Sequence, residues 1–457
     1  MFVVKKHKNR TELIMESENG RMSILMLPHL AYGHICPFLE LAKQLGKRSF
    51  IIYICSTPIN LASIKNRVHQ NDHIRLVEFD LPASAELPPH YHSTKGLPTN
   101  LIPILEQAFE MAAPIFIEIL KVIKPDLIMY DFKPSWPAEV ALSLNIPAVY
   151  FTVNAAAASC VVVHLYKRAG EKFPFPEIAL FSAAPPNFPE SVLKTIREIA
   201  LCSERSSNLV LIKSFREAEG KYIDLLSDLV QKTLIPVGPL VHDAPENEDD
   251  DTKNIMKWLD KKQKSSVLFV CFGSENYLSA EEAIEMSNAL EITKCDFIWS
   301  VRSPQGEETK CLELPEGFIE KIGDSGLILE GWAPQTTILG HSSIAGFLSH
   351  CGWSSVNESM KFGVPIIAMP IRGDQLTNAK LVVEIGIGMA IARNNEGKYK
   401  REEIADVIRK VLTEESEEGA RGKARELKLK IEEKGENDLD KAAAELKQVC
   451  SKNMQAY

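Results

Sequence analysis

Two residues in the first third of the chain could act together in proton transfer. His34 follows the apolar run 24–27 within the sequence Ala31-Tyr32-Gly33-His34-Ile35, and Asp131 directly follows the apolar run 127–130. If both runs are parallel strands, their carboxyl ends meet at the ligand-binding edge of an open α/β sheet. Asp131 could then accept the Nδ1 proton of His34 and stabilise the imidazolium that forms when Nε2 takes a proton. A histidine that only caps a helix and an aspartate that only caps a turn remain alternatives.

No motif for covalent catalysis accompanies this pair. The sequence has no GxSxG, no GxxxxGK[ST] and no HExxH, so a His–Asp pair suggests a base that activates a substrate hydroxyl. Three further patterns favour simpler interpretations. Gly386-Ile-Gly388 lacks the third glycine of a dinucleotide fingerprint, Asp249-Asp250-Asp251 is typical of a solvated charge run, and His90-Tyr91-His92 is typical of a loop. We therefore expect no metal site.

A second group of polar residues surrounds the apolar run 346–349. His350-Cys351-Gly352 follows this run as a turn, and a helix is predicted from Ser354 to Lys361. Gly352 allows close backbone approach, and the N–H groups near Ser354 and Ser355 would form an anion site at the start of the helix. His350 would add a hydrogen-bond donor to a diphosphate.

Four further residues suit the other parts of a sugar nucleotide. Glu358 lies one turn into the predicted helix and could accept two hydroxyl hydrogens, as ribose recognition requires. Trp332 offers a flat face on which a base could stack. Asp374 and Gln375 follow a predicted strand end and could bind sugar hydroxyls. An ordinary strand–turn–helix with polar ends remains the alternative for each residue, but it explains poorly so many suitable groups at successive strand ends.

The elements that must position these residues alternate between apolar strands and helices. Continuous apolar runs without polar alternation indicate parallel strands that are covered on both faces. They occur at 24–27, 50–55, 74–79, 127–130, 148–151 and 209–212, and again at 267–272, 297–299, 327–329, 346–349 and 365–369. Helices are predicted at 35–45, near 101–123, and from a capping box that opens at Ser279. The fold class predicted is α/β, with two Rossmann-like doubly wound domains that face a cleft.

The domain boundary is predicted from a change in composition. After Ile235-Pro-Val-Gly-Pro-Leu240, a segment rich in Asp and Glu lacks apolar periodicity, which is typical of a linker. We expect an N-terminal domain at 22–240, an acidic linker at 241–254, and a C-terminal domain at 255–435. A C-terminal helix at 436–457 is expected to pack back on the first domain.

Composition excludes several classes of protein. The 457 residues include 52 Lys and Arg against 61 Asp and Glu, a net charge of −9, which argues against a nucleic-acid partner. The nine cysteines form no CxxC pair, as expected of free thiols in a reducing compartment. No signal peptide and no run of 18 apolar residues is found. These features predict a cytoplasmic protein without a membrane span, and we expect a monomer.

The segment Trp332–Gln375 strongly resembles, without a gap, the donor-binding signature of plant family-1 UDP-dependent glycosyltransferases, which have the GT-B fold. The likeness extends over almost the whole chain. It includes Gly33-His34, Pro125-Asp-Leu-Ile-Met-Tyr-Asp131, Pro236-Val-Gly-Pro239 and Phe272-Gly-Ser274. The resemblance implies an inverting, metal-independent transferase that needs no cofactor besides its UDP-sugar co-substrate, with His34 as general base and Asp131 as its partner.

The same resemblance implies that the N-terminal domain at 22–240 binds the acceptor and that the C-terminal domain at 255–435 binds the UDP-sugar. It also implies roles for the donor-binding residues. Trp332 would stack on uracil, and Ala333 and Gln335 would contact the uridine. Glu358 would bind the ribose. The diphosphate would be bound by Ser274, His350, Ser354 and Ser355, with Gly352 in the turn between them. Trp353, Asp374 and Gln375 would contact the sugar, and Gln375 in the last position generally accompanies glucose in this family.

More narrowly, the sequence resembles the branch-forming subgroup, which adds a sugar to a sugar of a flavonoid or triterpenoid glycoside, and within it the enzymes of ginsenoside-type saponins. Four positions depart from the wider family. Ser354 replaces an Asn, His29 replaces the usual Trp or Phe, and Arg372-Gly373 replaces different residues. UDP-xylose or another UDP-sugar, and an aglycone acceptor, therefore stay open as alternatives to UDP-glucose and a glycoside. A non-catalytic sugar-nucleotide binding protein and an epimerase or phosphorylase of related architecture are the other hypotheses.

Overall fold

The molecule is described from a computed structural model, which covers residues 21–68, 72–179, 188–242, 249–274, 276–301, 314–413 and 416–454. The described residues fall into two compact units. The N-terminal unit lies within Met1–Lys172, Ala183–Leu240 and Lys434–Tyr457, and the C-terminal unit lies within Phe173–Ser182 and Val241–Glu433.

The N-terminal unit is built on a seven-stranded sheet in which every pair of neighbouring strands is parallel. The strand order is β3-β2-β1-β4-β5-β6-β7. The strands are β1 (Ser23–Leu27), β2 (Ile51–Ser56), β3 (Ile74–Glu78), β4 (Leu127–Tyr130), β5 (Ala148–Thr152), β6 (Leu209–Ile212) and β7 (Thr233–Pro236). The helices are α1 (Tyr32–Lys47), α2 (Pro58–Ile64), α3 (Ile102–Glu110), α4 (Ala113–Ile123), α5 (Pro137–Ser143), α6 (Ala156–Lys167), α7 (Glu190–Arg205) and α8 (Arg216–Val230).

The C-terminal unit contains a six-stranded parallel sheet of order β10-β9-β8-β11-β12-β13. The strands are β8 (Val267–Cys271), β9 (Asp296–Val301), β10 (Gly326–Glu330), β11 (Ile344–Ser349), β12 (Ile366–Ala368) and β13 (Gly388–Ala390). The helices are α9 (Asp250–Leu259), α10 (Ala280–Thr293), α11 (Phe318–Ile322), α12 (Gln335–Leu339), α13 (Trp353–Phe362), α14 (Gln375–Glu384), α15 (Arg401–Thr413) and α16 (Ala420–Met454), the last of which ends in the N-terminal unit.

Buried strands explain why both sheets are parallel and covered by helices. All five residues of β5 and of β8 are buried, and burial on both faces leaves no polar alternation in the sequence. In the N-terminal unit, residues of α1 and of the sheet share one core with Leu439, Ala442, Ala443, Leu446 and Cys450 of α16. These residues in the second half of α16 therefore complete the core around the first strands.

The predicted fold class is confirmed, and several local predictions need correction. The segment 101–123 forms two helices, α3 and α4. Two strands were not predicted. Thr233–Pro236 forms β7, although it leads into a proline-rich break. Gly388–Ala390 forms β13, where a Cβ at Gly388 would come within 2.2 Å of the Ile366 carbonyl oxygen. The glycine thus permits close strand packing.

The acidic segment after residue 240 is partly helical. Asp249 caps α9, since its side chain accepts a hydrogen bond from the Thr252 N–H group. Asp250 and Asp251 occupy the first turn, where negative charges stabilise the helix by interacting with the positive end of its dipole. Residues 243–248 of the predicted linker lie outside the described residues. Throughout the part of the chain that is described, no helix is both long and apolar enough to cross a membrane.

Candidate active site

The order of the first sheet brings the two proton-transfer candidates together. Strand order reverses between β1 and β4, which is where parallel α/β sheets bind ligands. His34 lies in the first turn of α1, directly beyond β1, and Asp131 is the residue after β4. Leu27 pairs with Tyr130 across the two strands, so the residues that follow these strands emerge side by side.

The His34 imidazole and the Asp131 carboxylate form a short hydrogen bond. His34 Nδ1 lies 2.7 Å from Asp131 Oδ2, and the side chains are 18% and 1% exposed, respectively. Asp131 Oδ2 also accepts a hydrogen bond from the His29 N–H group at 3.1 Å, and Oδ1 accepts one from the Phe132 N–H group at 2.8 Å. With Nδ1 donating to the carboxylate, Nε2 is the nitrogen of a neutral His34 that can take up a proton.

The charge state of Asp131 follows from these partners. Burial alone would raise the pKa of this carboxyl, but the neighbouring His34 and the N–H group of His29 stabilise the carboxylate, and the pKa is lowered below its usual range. Asp131 is therefore ionised at neutral pH. An ionised, immobile carboxylate at this distance can stabilise an imidazolium that forms during a reaction.

His29 is a third polar residue in this cluster. Its ring lies edge-on to that of His34, with 5.2 Å between ring centroids, and 5.3 Å from the ring of Phe132. Burial and the nearby His34 lower the pKa of His29 to about 3, so it is neutral at physiological pH. Its Nδ1 is buried without a hydrogen-bond partner among the described residues.

The strand order of the second sheet also reverses, between β8 and β11. Such a reversal is a topological switch point. Gly273 and Ser274 follow β8, while His350 and Gly352 follow β11. The His350 ring packs between the two glycines, because a Cβ at Gly273 would lie 2.7 Å from its Cε1 and a Cβ at Gly352 would lie 2.5 Å from its Nε2. No larger residue fits at either position while the ring keeps this place.

His350 is neutral in this setting. Burial lowers the pKa of His350 to about 4, although a hydrogen bond to the backbone of Cys271 opposes the shift. A neutral imidazole carries a single N–H group, so His350 can offer an anion at most one hydrogen bond and no positive charge. The N-terminus of α13, which begins at Trp353 after Gly352, supplies the partial positive charge and the backbone N–H groups to which anions bind. Ser354 and Ser355 lie in this first turn.

The structure joins one predicted uridine contact, Gln335, to the predicted ribose contact Glu358 and to Ser355, which is predicted to bind the diphosphate. Gln335 Nε2 donates hydrogen bonds to Glu358 Oε2 at 2.6 Å and to Ser355 Oγ at 3.1 Å. Trp332 follows β10 with 51% of its side chain exposed, whereas Ala333 is buried. A half-exposed indole and a half-buried carboxylate are residue types that can stack on a base and accept hydrogen bonds from ribose hydroxyls.

Two of the predicted sugar-binding residues, Asp374 and Gln375, lie at the start of α14, whereas Trp353 begins α13. Asp374 Oδ2 accepts a hydrogen bond from Asn378 Nδ2 at 2.9 Å, and the same nitrogen lies 3.0 Å from the Cys351 carbonyl oxygen. Gln375 is buried and Trp353 is 4% exposed. Gln375 Nε2 donates to Asn276 Oδ1 at 3.3 Å. We did not single out Asn276 from the sequence, although its place two residues beyond Ser274, after a buried strand, was a usable signal.

A metal centre is not found in the residues that the structure describes. No group of three or more His, Cys, Asp or Glu there is arranged to hold a metal ion. The eight described cysteines are free thiols, and Cys311 lies outside the described residues.

Two sheets of this topology, each with a polar cluster at its switch point, define the GT-B class of nucleotide-sugar enzymes. Residues 236–420 match the model of the UDP-glucoronosyl and UDP-glucosyl transferase family, and residues 20–242 match that of the glycosyltransferase N-terminal domain. The chain belongs to the plant family-1 UDP-glycosyltransferases, and it is an enzyme of the UDP-sugar-dependent class.

Similar proteins span nearly the whole chain. It is 56% identical to UDP-glucosyltransferase 29 of Panax ginseng over 96% of this chain and 99% of the relative. It is 43% identical to the beta-D-glucosyl crocetin beta-1,6-glucosyltransferase of Gardenia jasminoides over 94% of this chain and 100% of that one. A crystal structure of UGT73P12 from Glycyrrhiza uralensis shares the fold, with a TM-score of 0.84 and 23% identity over 95% of this chain and 98% of its own.

Proposed function

We propose that this protein transfers glucose from UDP-glucose to a sugar hydroxyl of a small plant glycoside, with inversion at the anomeric carbon. The product would be a β-linked, branched or extended sugar chain. The observation that carries the proposal is the pair of a partly exposed His34 and a buried Asp131, whose 2.7 Å hydrogen bond prepares a base at the ligand-binding edge of the sheet. We further propose that the enzyme needs neither a metal nor another cofactor.

The reaction follows from the chemistry of this pair. The acceptor oxygen attacks C1 of the donor sugar and forms the new C1–O bond, while the bond from C1 to the diphosphate oxygen breaks on the opposite face. The acceptor proton passes to Nε2 of His34, and Asp131 stabilises the imidazolium. Since no side chain of the protein forms a covalent intermediate, a single displacement converts an α-linked donor into a β-glycoside.

The departing UDP is the other charge to be stabilised. In this proposal the first turn of α13, with Ser354 and Ser355, and the neutral His350 bind the diphosphate, and Ser274 adds a hydroxyl group. Trp332 stacks on uracil, Glu358 binds the ribose, and Asp374 and Gln375 bind the sugar. Hydrogen-bond donors fixed before the reaction need no reorganisation as charge develops on the leaving oxygen.

The acceptor class rests on the relatives. The Gardenia enzyme is named for adding glucose to glucosyl crocetin, and a Citrus maxima relative, 40% identical over 94% of this chain and 98% of its own, is named a flavanone 7-O-glucoside 2''-O-beta-L-rhamnosyltransferase. Both names describe transfer to a sugar. The name of the ginseng relative, UDP-glucosyltransferase 29, supports glucose as the donor sugar.

The test combines a substrate panel with one variant. Wild-type protein is incubated with UDP-glucose, UDP-xylose and UDP-galactose, each with glycosides and the matching aglycones, and products are identified by mass. We expect one added hexose on glycosides. His34→Ala should lower kcat by about 10²–10⁴-fold while the Kd for UDP, measured by calorimetry, stays unchanged.

His90→Ala, at an exposed histidine of the same unit, is the matched control and should keep full activity. Undiminished turnover in His34→Ala would refute the mechanism. Faster reaction with aglycones would refute the acceptor class, and turnover of the UDP-sugar without any acceptor would indicate an epimerase.

We also propose that the enzyme works as a monomer in the cytoplasm. The free thiols of the described cysteines, most of them buried, support a reducing compartment. Size-exclusion chromatography with light scattering tests the monomer, and microscopy of a fluorescent fusion tests the location. A dimer peak, or fluorescence confined to an organelle, would contradict the respective proposal.

A further inference from the structure

The amide group of Gln375 is held in one orientation by its neighbours. Gln375 Oε1 accepts hydrogen bonds from the backbone N–H groups of Ile371 and Arg372, both at 3.0 Å. A carboxamide oxygen has two lone pairs, so both are in use. Gln375 can therefore offer a sugar only hydrogen-bond donors. One of its two N–H bonds already points to Asn276 Oδ1, at 3.3 Å.

Asn276 is oriented in the same way. Its Oδ1 accepts from Gln375 Nε2 and also from Arg372 Nε, which lies at 3.1 Å and can only donate. Both lone pairs of the Asn276 oxygen are thus engaged, which fixes the place of its NH₂ group. That nitrogen makes no hydrogen bond with any described residue, and the half-buried side chain leaves it within reach of a ligand.

Asp374 completes the pattern with the opposite chemistry. Its ionised carboxylate only accepts hydrogen bonds, and it adjoins Gln375 at the start of α14. A sugar hydroxyl both donates and accepts. A neutral pyranose with neighbouring hydroxyls can therefore donate to Asp374 and accept from the amides, so that the cluster distinguishes sugars by the positions of their hydroxyls.

We propose that Asn276 is a residue that determines donor-sugar specificity, because its oxygen holds the Gln375 amide in place and its NH₂ group donates a hydrogen bond to a hydroxyl of the donor sugar. This inference rests on the proposed function, in which Asp374 and Gln375 bind that sugar. Asn276 follows β8, so it would add a further contact with the sugar to those made by Asp374 and Gln375 at the start of α14.

Two variants separate the parts of this role. Asn276→Ala removes both the oxygen and the NH₂ group. Asn276→Asp keeps the size and an oxygen acceptor for Gln375 and Arg372, but replaces the donors by an acceptor. Asn288→Ala, at a half-buried asparagine within α10, is the matched control. For each protein, kcat/KM is measured with UDP-glucose, UDP-galactose and UDP-xylose at a saturating glycoside acceptor, and the Kd for UDP by calorimetry.

We expect both Asn276 variants to lower kcat/KM for UDP-glucose by about tenfold or more, the loss typical of one hydrogen bond at a partly buried site. The ratio of kcat/KM between UDP-glucose and UDP-galactose should fall as well, while the Kd for UDP and the thermal midpoint stay unchanged. An equal loss with all three donors, or full activity in Asn276→Asp, would overturn the inference. A wild-type protein that transfers no sugar from any of the three donors would instead refute the proposed function.

Discussion

The buried His29 makes the stability of the N-terminal unit depend on pH in a way that can be calculated. The folded protein holds this histidine neutral, since burial and His34 lower its pKa from an ordinary value of 6.5 to about 3. In the unfolded chain it takes up a proton below pH 6.5. The unfolded state therefore binds more protons than the folded state between pH 6.5 and pH 3, and stability must fall as the pH falls through this window.

The magnitude depends on the unfolded pKa and on the chosen pH. At pH 5, which is 1.5 units below the unfolded value of 6.5, the loss is about 2 kcal/mol, since each unit is worth about 1.36 kcal/mol. Any folded value well below 5 gives the same result. His29→Phe removes the titrating group and places a ring among Phe109 and Phe132. Between pH 7 and pH 5, the free energy of unfolding of this variant should therefore fall by about 2 kcal/mol less than that of the wild type.

The assay is urea unfolding at both pH values, with hydrogen-exchange mass spectrometry of peptides from β1 and β4 to assign the transition to this unit. The comparison uses only the change with pH, so any packing cost of the larger ring cancels. His90→Phe is the control, because its exposed ring should leave the pH dependence of wild type. Equal losses of stability in wild type and His29→Phe would refute the burial of a neutral imidazole.

Three further predictions concern the active-site cluster, the nucleoside site and the last helix. Asp131→Asn leaves three N–H groups facing a single acceptor oxygen, and should lower kcat by about 10²–10⁴-fold with an unchanged Kd for UDP; a loss below tenfold would argue against an ionised partner for His34. Trp332→Ala should weaken UDP binding by about 1–3 kcal/mol in calorimetry, yet shift the free energy of unfolding by less than about 0.5 kcal/mol because the indole is half-exposed; unchanged binding would exclude stacking. Leu446→Ala should cost about 2–5 kcal/mol in thermal or urea unfolding, whereas Leu429→Ala, at a residue of α16 that is 64% exposed, should cost little; equal effects would place Leu446 outside the core.

The fold class was predictable because burial imposes a simple pattern on parallel strands. Runs such as 127–130 and 209–212 appear in the structure with the same bounds as β4 and β6. The short strands β7 and β13 escaped prediction, since proline in one and glycine in the other are turn residues in isolation and become strand residues only beside a partner. Pairing with β6 and β12 supplies that partner.

The site was predictable where a single residue type at a strand end carries the chemistry. His34 and Asp131 are far apart in sequence, yet the adjacency of β1 and β4 brings them together. Asn276 was not predicted as a site residue, because its place in the site depends on hydrogen bonds with Arg372 and Gln375. These residues lie about a hundred positions away in the sequence. The protonation state of His29 could also be derived only from the structure, because it depends on the packing of Phe109 and Phe132 against the imidazole.

The last helix imposes an order on the synthesis of the protein. Leu439, Leu446 and Cys450 of α16 lie in one core with α1 and the central strands of the first sheet, and these residues follow the whole of the C-terminal unit in the chain. The first sheet therefore waits with an open apolar face while the whole C-terminal unit is made, although most domains fold as soon as they emerge. Chains that stop early keep this face exposed, which marks them for chaperones and proteases. Completion of the N-terminal unit is in this sense a check that translation has passed the C-terminal unit.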